Sequence, residues 1–432
     1  MAGIIVKPFR GYVPPQEEIS NVIAPPYDVM SRSEALEIGQ KHPKSIIHIT
    51  RPEIGLPDAE PTDERCYQRG ADLLHEWVQK NLLVRSEKPS FYIYRQTLDH
   101  HVQVGIFTLT SCAQYSEGLI KKHEQTRAAP EADRTKTVDI QNANVGCVFL
   151  AYRGDIYKEL ADYTRSLAVG KPDRVAHLDF DNTEHELWII DDDERVKHIQ
   201  ELFSKVPALY IADGHHRAAS ACNVWRKRRD LDGASYKGDE PYCYFMSCIF
   251  ADTELCVIDY NRVITKNSLS NEQLFEKLRA NKFEITELTG NEKPVTPSFL
   301  PFHYARAVEH KTFSLYIRGK WYHMKFVGEP VSNHPKDTID SKILTDFVLT
   351  PIFGITDLRT APNISFVGGT RGIKALEDKC QTDDTLAFAV PPISMHQLFD
   401  VADSGEMMPP KSTWFVPKLG DAMVIRFIEG DE

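Results

Sequence analysis

No C-x-x-C pair occurs among the eight cysteines, Cys66, Cys112, Cys147, Cys222, Cys243, Cys248, Cys256 and Cys380. Without that spacing or any regular framework, the thiols read as reduced ones of a cytoplasmic enzyme, not the staples of a secreted domain. No apolar run is long enough to span a bilayer, and residues 1–10 lack the layout of a signal peptide, so no membrane partner is expected. Positive charge is in deficit: 51 Lys and Arg face 62 Asp and Glu, a formal net charge of −11. That balance excludes a general affinity for nucleic acid backbone and leaves room only for a local basic pocket. Internal repeats and low-complexity tracts are absent. The glycine turn Gly368-Gly-Thr-Arg-Gly372 has neither the spacing of a P-loop nor its Lys-Ser/Thr ending.

What is present suits an ordinary globular chain of 432 residues, long enough for two or three packed units. Helical and strand periodicities are interspersed, which predicts an α+β protein with mixed sheets. Three regions are expected, 1–115, 116–266 and 267–432, the last boundary resting on the polar stretch 267–271. Residues 4–6 read as a strand stopped by Pro8, and Ser31 or Ser33 as the cap of a helix. Residues 46–50 read as a strand and 66–83 as a helix. Residues 91–98 and 102–109 form a hairpin about Asp99-His100. Buried strands are expected at 145–151, 186–190 and 208–212, and a helix capped by Asp192 or Asp193 stops at Pro207. Further on come a helix capped by Ser270 or Asn271, a hairpin about Gly319, a helix from Asp340 through Val348, and strands at 364–367, 386–390 and 423–428.

The stretch from Leu209 to Ser220 carries the strongest chemical signal. An apolar strand breaks at Asp213-Gly214, and a helix opens with His215, His216 and Arg217, followed by small residues. A helix start presents backbone N–H groups and the positive end of a dipole, which suits a phosphate. The imidazoles and the guanidinium add donors at the same place. Two other readings stand beside this one. Asp213 also fits an ordinary N-cap in a structural turn. Asp213, His215 and His216 also form a metal-ligand set, although neighbouring residues on a helix point about 100° apart.

Three more stretches hold reactive side chains. Ala24-Pro-Pro-Tyr27-Asp28 is held extended by its prolines, presenting Tyr27 and Asp28, or is simply a rigid surface turn. Residues 121–136 pack Lys122, His123, Glu124, Thr126, Asp133, Arg134 and Lys136 into a polar segment. There His123 and Glu124 offer a base and Lys122, Arg134 and Lys136 hold anions, unless the segment is a solvated charged face. Lys411-Ser412-Thr413 and Lys418 lie on a proline-bounded loop with an ammonium, two hydroxyls and a further cation.

Taken together, dispersed motifs resemble one bacterial, archaeal and protist family. They are Lys7-Pro-Phe-Arg10-Gly-Tyr12, Ala24-Pro-Pro-Tyr-Asp28, His123-Glu124 with Thr126, Asp133 and Arg134, Ala212-Asp-Gly-His-His-Arg217, and Met408-Pro-Pro-Lys-Ser-Thr413 with Pro417-Lys418. This family was long catalogued as a domain of unknown function and is associated with pyrophosphate-dependent L-serine kinases. The Asp213–Arg217 run also resembles the phosphate-binding signature of ParB/sulfiredoxin-like folds, including nucleotide-dependent free serine kinases. The resemblance implies a ParB/sulfiredoxin-like core and transfer of a phosphoryl group from pyrophosphate to L-serine, giving O-phosphoserine for cysteine synthesis. It implies Glu124, His123, Asp213 and His216 as catalytic residues, Glu124 first and Asp28 second as the proton acceptor. Arg10, Tyr27, Asp28, Lys122, Thr126, Asp133, Arg134, Lys136, Gly214, His215, Arg217, Lys411, Ser412, Thr413 and Lys418 would bind substrate. Mg²⁺ would be held through Asp213 or Glu124, and serine's carboxylate by Arg10 or by Ser412 and Thr413. Where the family's pattern has a Pro-Thr-His-Arg-like run, this chain has Asp259-Tyr-Asn-Arg262. The alternatives are an ATP- or ADP-dependent serine kinase, a ParB-like nucleotide-binding regulator without turnover, and a metal-dependent phosphoesterase using Asp213 and His215.

Overall fold

A computed structural model describes residues 3–178, 182–290, 294 and 309–428. The chain forms two compact α+β units. The first comprises Met1–Lys121, Thr126–Leu255 and Pro417–Glu432; the second comprises Lys122–Gln125 and Cys256–Val416. Residues 1–115 therefore fall in unit one, whereas 116–266 and 267–432 each contribute to both units.

Unit one is built on a mixed nine-stranded sheet. Its strands run in the order Ile120–Lys121, Leu209–Asp213, Val148–Tyr152, Tyr244–Ala251, His101–Ser111, Phe91–Leu98, Thr183–Ile190 and Arg174–Leu178, with Val6–Lys7 added beside His101–Ser111. Two neighbouring pairs are parallel, Leu209–Asp213 with Ile120–Lys121 and Val148–Tyr152 with Tyr244–Ala251; the others are antiparallel. The expected hairpin turns at Asp99, whose φ of 52° is a conformation that Asp tolerates well. Val148, Leu150, Ile211, Ile249, Phe245 and Phe203 meet in one core cluster. A second cluster joins Leu74 and Trp77 to Ile47, Ile49, Val145 and Phe427.

Residues 46–50 are not the strand their apolar, β-branched run suggests but a helical turn, Ile47–Thr50. The Thr50 N–H bonds to the Ile46 carbonyl at 3.0 Å, so the segment satisfies its own backbone and needs no sheet neighbour. Ile47 and Ile49 are fully buried in the second cluster, so tertiary burial overrides local propensity here. Likewise only Arg426–Phe427 of residues 423–428 pairs as a strand, with Ala143–Asn144.

Unit two has a six-stranded antiparallel sheet. Its order is Phe283–Glu287, Lys320–Phe326, Thr312–Ile317, Leu386–Ala389, Tyr260–Ile264 and Ile364–Gly368. Phe313, Leu315, Phe326 and Phe388 pack against Ile343, Leu344 and Val348. The helix expected from Asp340 runs to Leu344, widens into a π-type turn over Thr345–Leu349 and resumes as Thr350–Phe353. Pro351 explains the widening, since it has no N–H for the helical ladder. No helix among the described residues is long and apolar enough to cross a membrane. All eight cysteines are buried and outside disulfides.

Helix ends follow the sequence closely. Ser31 caps Arg32–Lys41 with Glu34 reaching back, and Asp192 and Ser270 cap Asp193–Phe203 and Asn271–Ala280. Ser31→Ala is expected to lower stability by about 1 kcal/mol, read as a drop in the urea midpoint; an unchanged midpoint would show that this cap carries no weight.

Candidate functional site

Strand Leu209–Asp213 leads into the site. Its pairing with Val148–Tyr152 is regular at Tyr210 and Ile211 and then slips, so that Asp213 lies opposite Phe149. The extra residue, Ala212, makes a bulge, a device that re-aims the side chain beyond it. Gly214 follows at φ 89°, a left-handed conformation suited to glycine, and the helix His215–Asp232 begins. A Cβ on Gly214 would lie 3.2 Å from Nε of Arg217. Glycine thus makes the turn and leaves room for the guanidinium beside it. Asp213 is not the N-cap: no side chain caps this helix start, and Asp213 Oδ1 accepts from the Gly214 N–H at 2.7 Å.

Arg217 is the central cation, with its side chain only 11 % exposed. Nη1 donates to the Cys147 carbonyl, Nη2 lies 3.9 Å from Asp28 Oδ2, and buried Nε has no hydrogen-bond partner among the described residues. Burial alone would weaken its hold on a proton, but Asp28, Asp421 and Asp213 outweigh that and keep it charged. Asp213 is balanced in the opposite sense. Burial would raise its pKa, yet Lys418 Nζ at 2.6 Å from Oδ2, together with Arg217, holds the carboxyl well below the usual range.

The second cation is Arg134, from the helix Ala128–Gln141. It stacks over the Tyr27 ring at 4.4 Å and binds Asp133 Oδ2 through Nη2 at 2.6 Å. Tyr67 donates to the other oxygen of Asp133 at 2.7 Å. His216 Nε2 accepts the Arg127 N–H at 3.1 Å, anchoring the start of that helix and leaving the ring proton on Nδ1. Its neighbour His215 is buried. Tyr27, Arg134, Gly146, Arg217 and Asp421 together line a cavity of about 50 Å³.

Asp421 is the residue that the sequence reading missed. Its only trace there is a lone carboxylate before the apolar run Ala422-Met-Val-Ile425. Backbone bonds to Ala24 fix it, Asp421 N to Ala24 O at 2.8 Å and the reverse at 3.3 Å. A Cβ on Gly146 would come within 2.7 Å of its Oδ1. Burial pushes its pKa up to about 7, aided by Asp28 and opposed by Arg217, the Tyr27 N–H and Arg134.

Of the residues expected to bind or catalyse, unit one gathers Tyr27, Asp28, Asp133, Arg134, Asp213, Gly214, Arg217 and Lys418 into this network. Three others in the unit have partners of their own. Arg10 Nε donates to the Ser86 carbonyl at 3.0 Å, Thr126 donates to Glu131, and exposed Lys136 pairs with Glu64. Lys122, His123, Glu124, Lys411, Ser412 and Thr413 belong to unit two. There the buried His123 takes the Met408 N–H on its carbonyl at 2.8 Å. The Ser412 hydroxyl meets Ser341 at 2.8 Å and the Pro409 carbonyl at 2.7 Å.

Asp421 supplies a pH test. A carboxyl whose folded-state pKa stands above its ordinary 3.8 binds more protons folded than unfolded, so its ionisation removes stability as pH rises from there to about 7. Asp421→Asn is expected to shrink the fall in urea midpoint between pH 5 and pH 8 relative to the parent. Parallel profiles for the two proteins would contradict this assignment.

Among solved structures the chain is similar to SbnI with C-terminal truncation from Staphylococcus aureus, at 10% identity and TM-score 0.36 over 73% of this chain and 85% of that one. It is similar to a free serine kinase in complex with AMP at 13% identity and TM-score 0.32, covering 72% and 87%. It is also similar to a conserved hypothetical protein from Pyrococcus furiosus at 16% identity and TM-score 0.34, covering 78% and 100%. Likenesses this distant assign no function. No curated protein matches the chain. Residues 6–344 match the family described as Protein of unknown function (DUF1015), and the chain belongs to that family.

Proposed function

We propose that the chain is a phosphotransferase that moves a phosphoryl group from pyrophosphate to the hydroxyl of free L-serine, giving O-phospho-L-serine for cysteine synthesis. The observation that carries this reading is the small cavity bearing Arg134 and Arg217, close to a helix start with no side-chain cap. Phosphoryl transfer asks mainly for positioning and for cations around the transferring group. Two guanidinium groups supply fork-shaped donors for phosphate oxygens. At about 50 Å³ the cavity admits an inorganic phosphate group. Pockets for larger organic ligands run to about 300 Å³ and more, so size favours a small inorganic donor over a nucleotide.

The serine hydroxyl loses its proton as the new P–O bond forms and the bridging P–O bond of the donor breaks. Asp28, which stands 3.9 Å from Arg217 in the same unit, is an acceptor proposed for that proton. Asp213 does not fit the Mg²⁺ role expected of it: Lys418 already neutralises Oδ2 and the Gly214 N–H occupies Oδ1. No step is therefore routed through a metal there, and Asp213 serves to hold Lys418 and Arg217 in place.

The purified chain, incubated with L-serine, Mg²⁺ and either pyrophosphate or ATP, is expected to make phosphoserine from pyrophosphate; no phosphoserine from either donor sinks the proposal, and product from ATP alone sinks the donor. Arg217→Lys keeps the charge and loses the fork. It is expected to lower kcat/KM for pyrophosphate about 100-fold, and parental kinetics in that variant would remove Arg217 from the donor site.

A further inference from the structure

Arg262 sits at the middle of strand Tyr260–Ile264 in unit two, opposite Phe366 on one side and Phe388 on the other. It is 1 % exposed, one of the largest fully buried side chains of the chain. Its guanidinium packs 5.6 Å from the centre of the Phe366 ring. Nη1 donates to the Tyr260 carbonyl, while Nε and Nη2 have no hydrogen-bond partner among the described residues. Burial draws its pKa down to about 10, the neighbouring Tyr260 offsetting part of that, so the group is charged at neutral pH. Asp259 accepts from Asn261 Nδ2, and successive strand residues alternate faces, so Arg262 lies opposite Asn261.

A buried cation without a counter-ion is among the least favourable arrangements a protein can hold. Nε–H and Nη2–H lie on one edge of the guanidinium, the edge that takes two oxygens of an oxyanion side by side. The Phe366 ring beside the guanidinium belongs to a partly exposed aromatic group: Tyr260 meets Phe366 edge-on at 6.1 Å and Trp414 at 5.1 Å. Lys411 Nζ lies 5.5 Å from the Tyr260 ring, on a residue held at φ 61°. Strained backbone of that kind collects at ligand sites.

We propose that this edge of Arg262 binds the carboxylate of a small monocarboxylate, acetate or a free amino acid, beneath the rings of Tyr260, Phe366 and Trp414. Charge decides between carboxylate and phosphate. Lys411 is exposed to solvent, so the buried edge offers one guanidinium, which neutralises a monoanion, whereas a phosphate or pyrophosphate would leave excess negative charge among aromatic walls. The site lies within unit two and stands whether or not the chain transfers phosphoryl groups.

The test uses the full-length chain and compares thermal shifts and calorimetric titrations with acetate, L-serine and inorganic pyrophosphate. The parent is expected to be stabilised by acetate and by serine. Arg262→Met removes the unpaired charge and should fold with an equal or higher Tm. It should bind acetate at least tenfold more weakly, with pyrophosphate binding unchanged. Arg262→Lys, which keeps the charge without the fork, should fall between the two and serves if the Met variant does not fold. The proposal is overturned if the parent does not bind acetate, if the variants bind acetate as the parent does, or if pyrophosphate binding is what they lose.

Discussion

Burying a guanidinium at the foot of a helix obliges carboxylates to gather round it, and much of unit one's local design follows from that requirement. Arg217 is nearly closed off from water, and Asp28, Asp213 and Asp421 supply the field that keeps it charged. Each carboxylate arrives on a different stretch of chain: one after a pair of prolines, one beyond a bulge, one on the returning C-terminal segment. They are not equivalent. Lys418 satisfies Asp213, whereas Asp421 has only a partial share of Arg217 and holds its proton near neutrality. The balance leaves a buried cluster whose carboxylates differ in how firmly they hold a proton.

The turn itself was legible in the sequence, because each of its parts has a local cause. Apolar residues make the strand, Gly214 reverses the chain at a positive φ, and small residues let the helix pack. The caps at Ser31, Asp192 and Ser270 were legible for the same reason, since a hydroxyl or carboxylate and the N–H groups after it are neighbours in sequence. What local pattern does not carry is partner choice over long separations. Nothing about Lys418 announces Asp213, 205 residues away, and nothing about Asp421 announces Ala24. The misread turn at residues 47–50 has the same origin, an apolar β-branched run whose fate is settled by what buries it.

The two histidines share a helix start, and His216 spends its Nε2 on the Arg127 N–H and so secures the helix that carries Arg134. Arg262 presents the converse. Its isolation becomes visible only once the surrounding residues are placed.

Unit one is assembled from three stretches of chain, and the whole of Cys256–Val416 lies between the second and the third. Lys418 and Asp421 leave the ribosome only after that intervening body has been made. Until then Asp213 lacks its ammonium and Arg217 one of its carboxylates. During synthesis the charge cluster is therefore completed only after every strand of the nine-stranded sheet has been made.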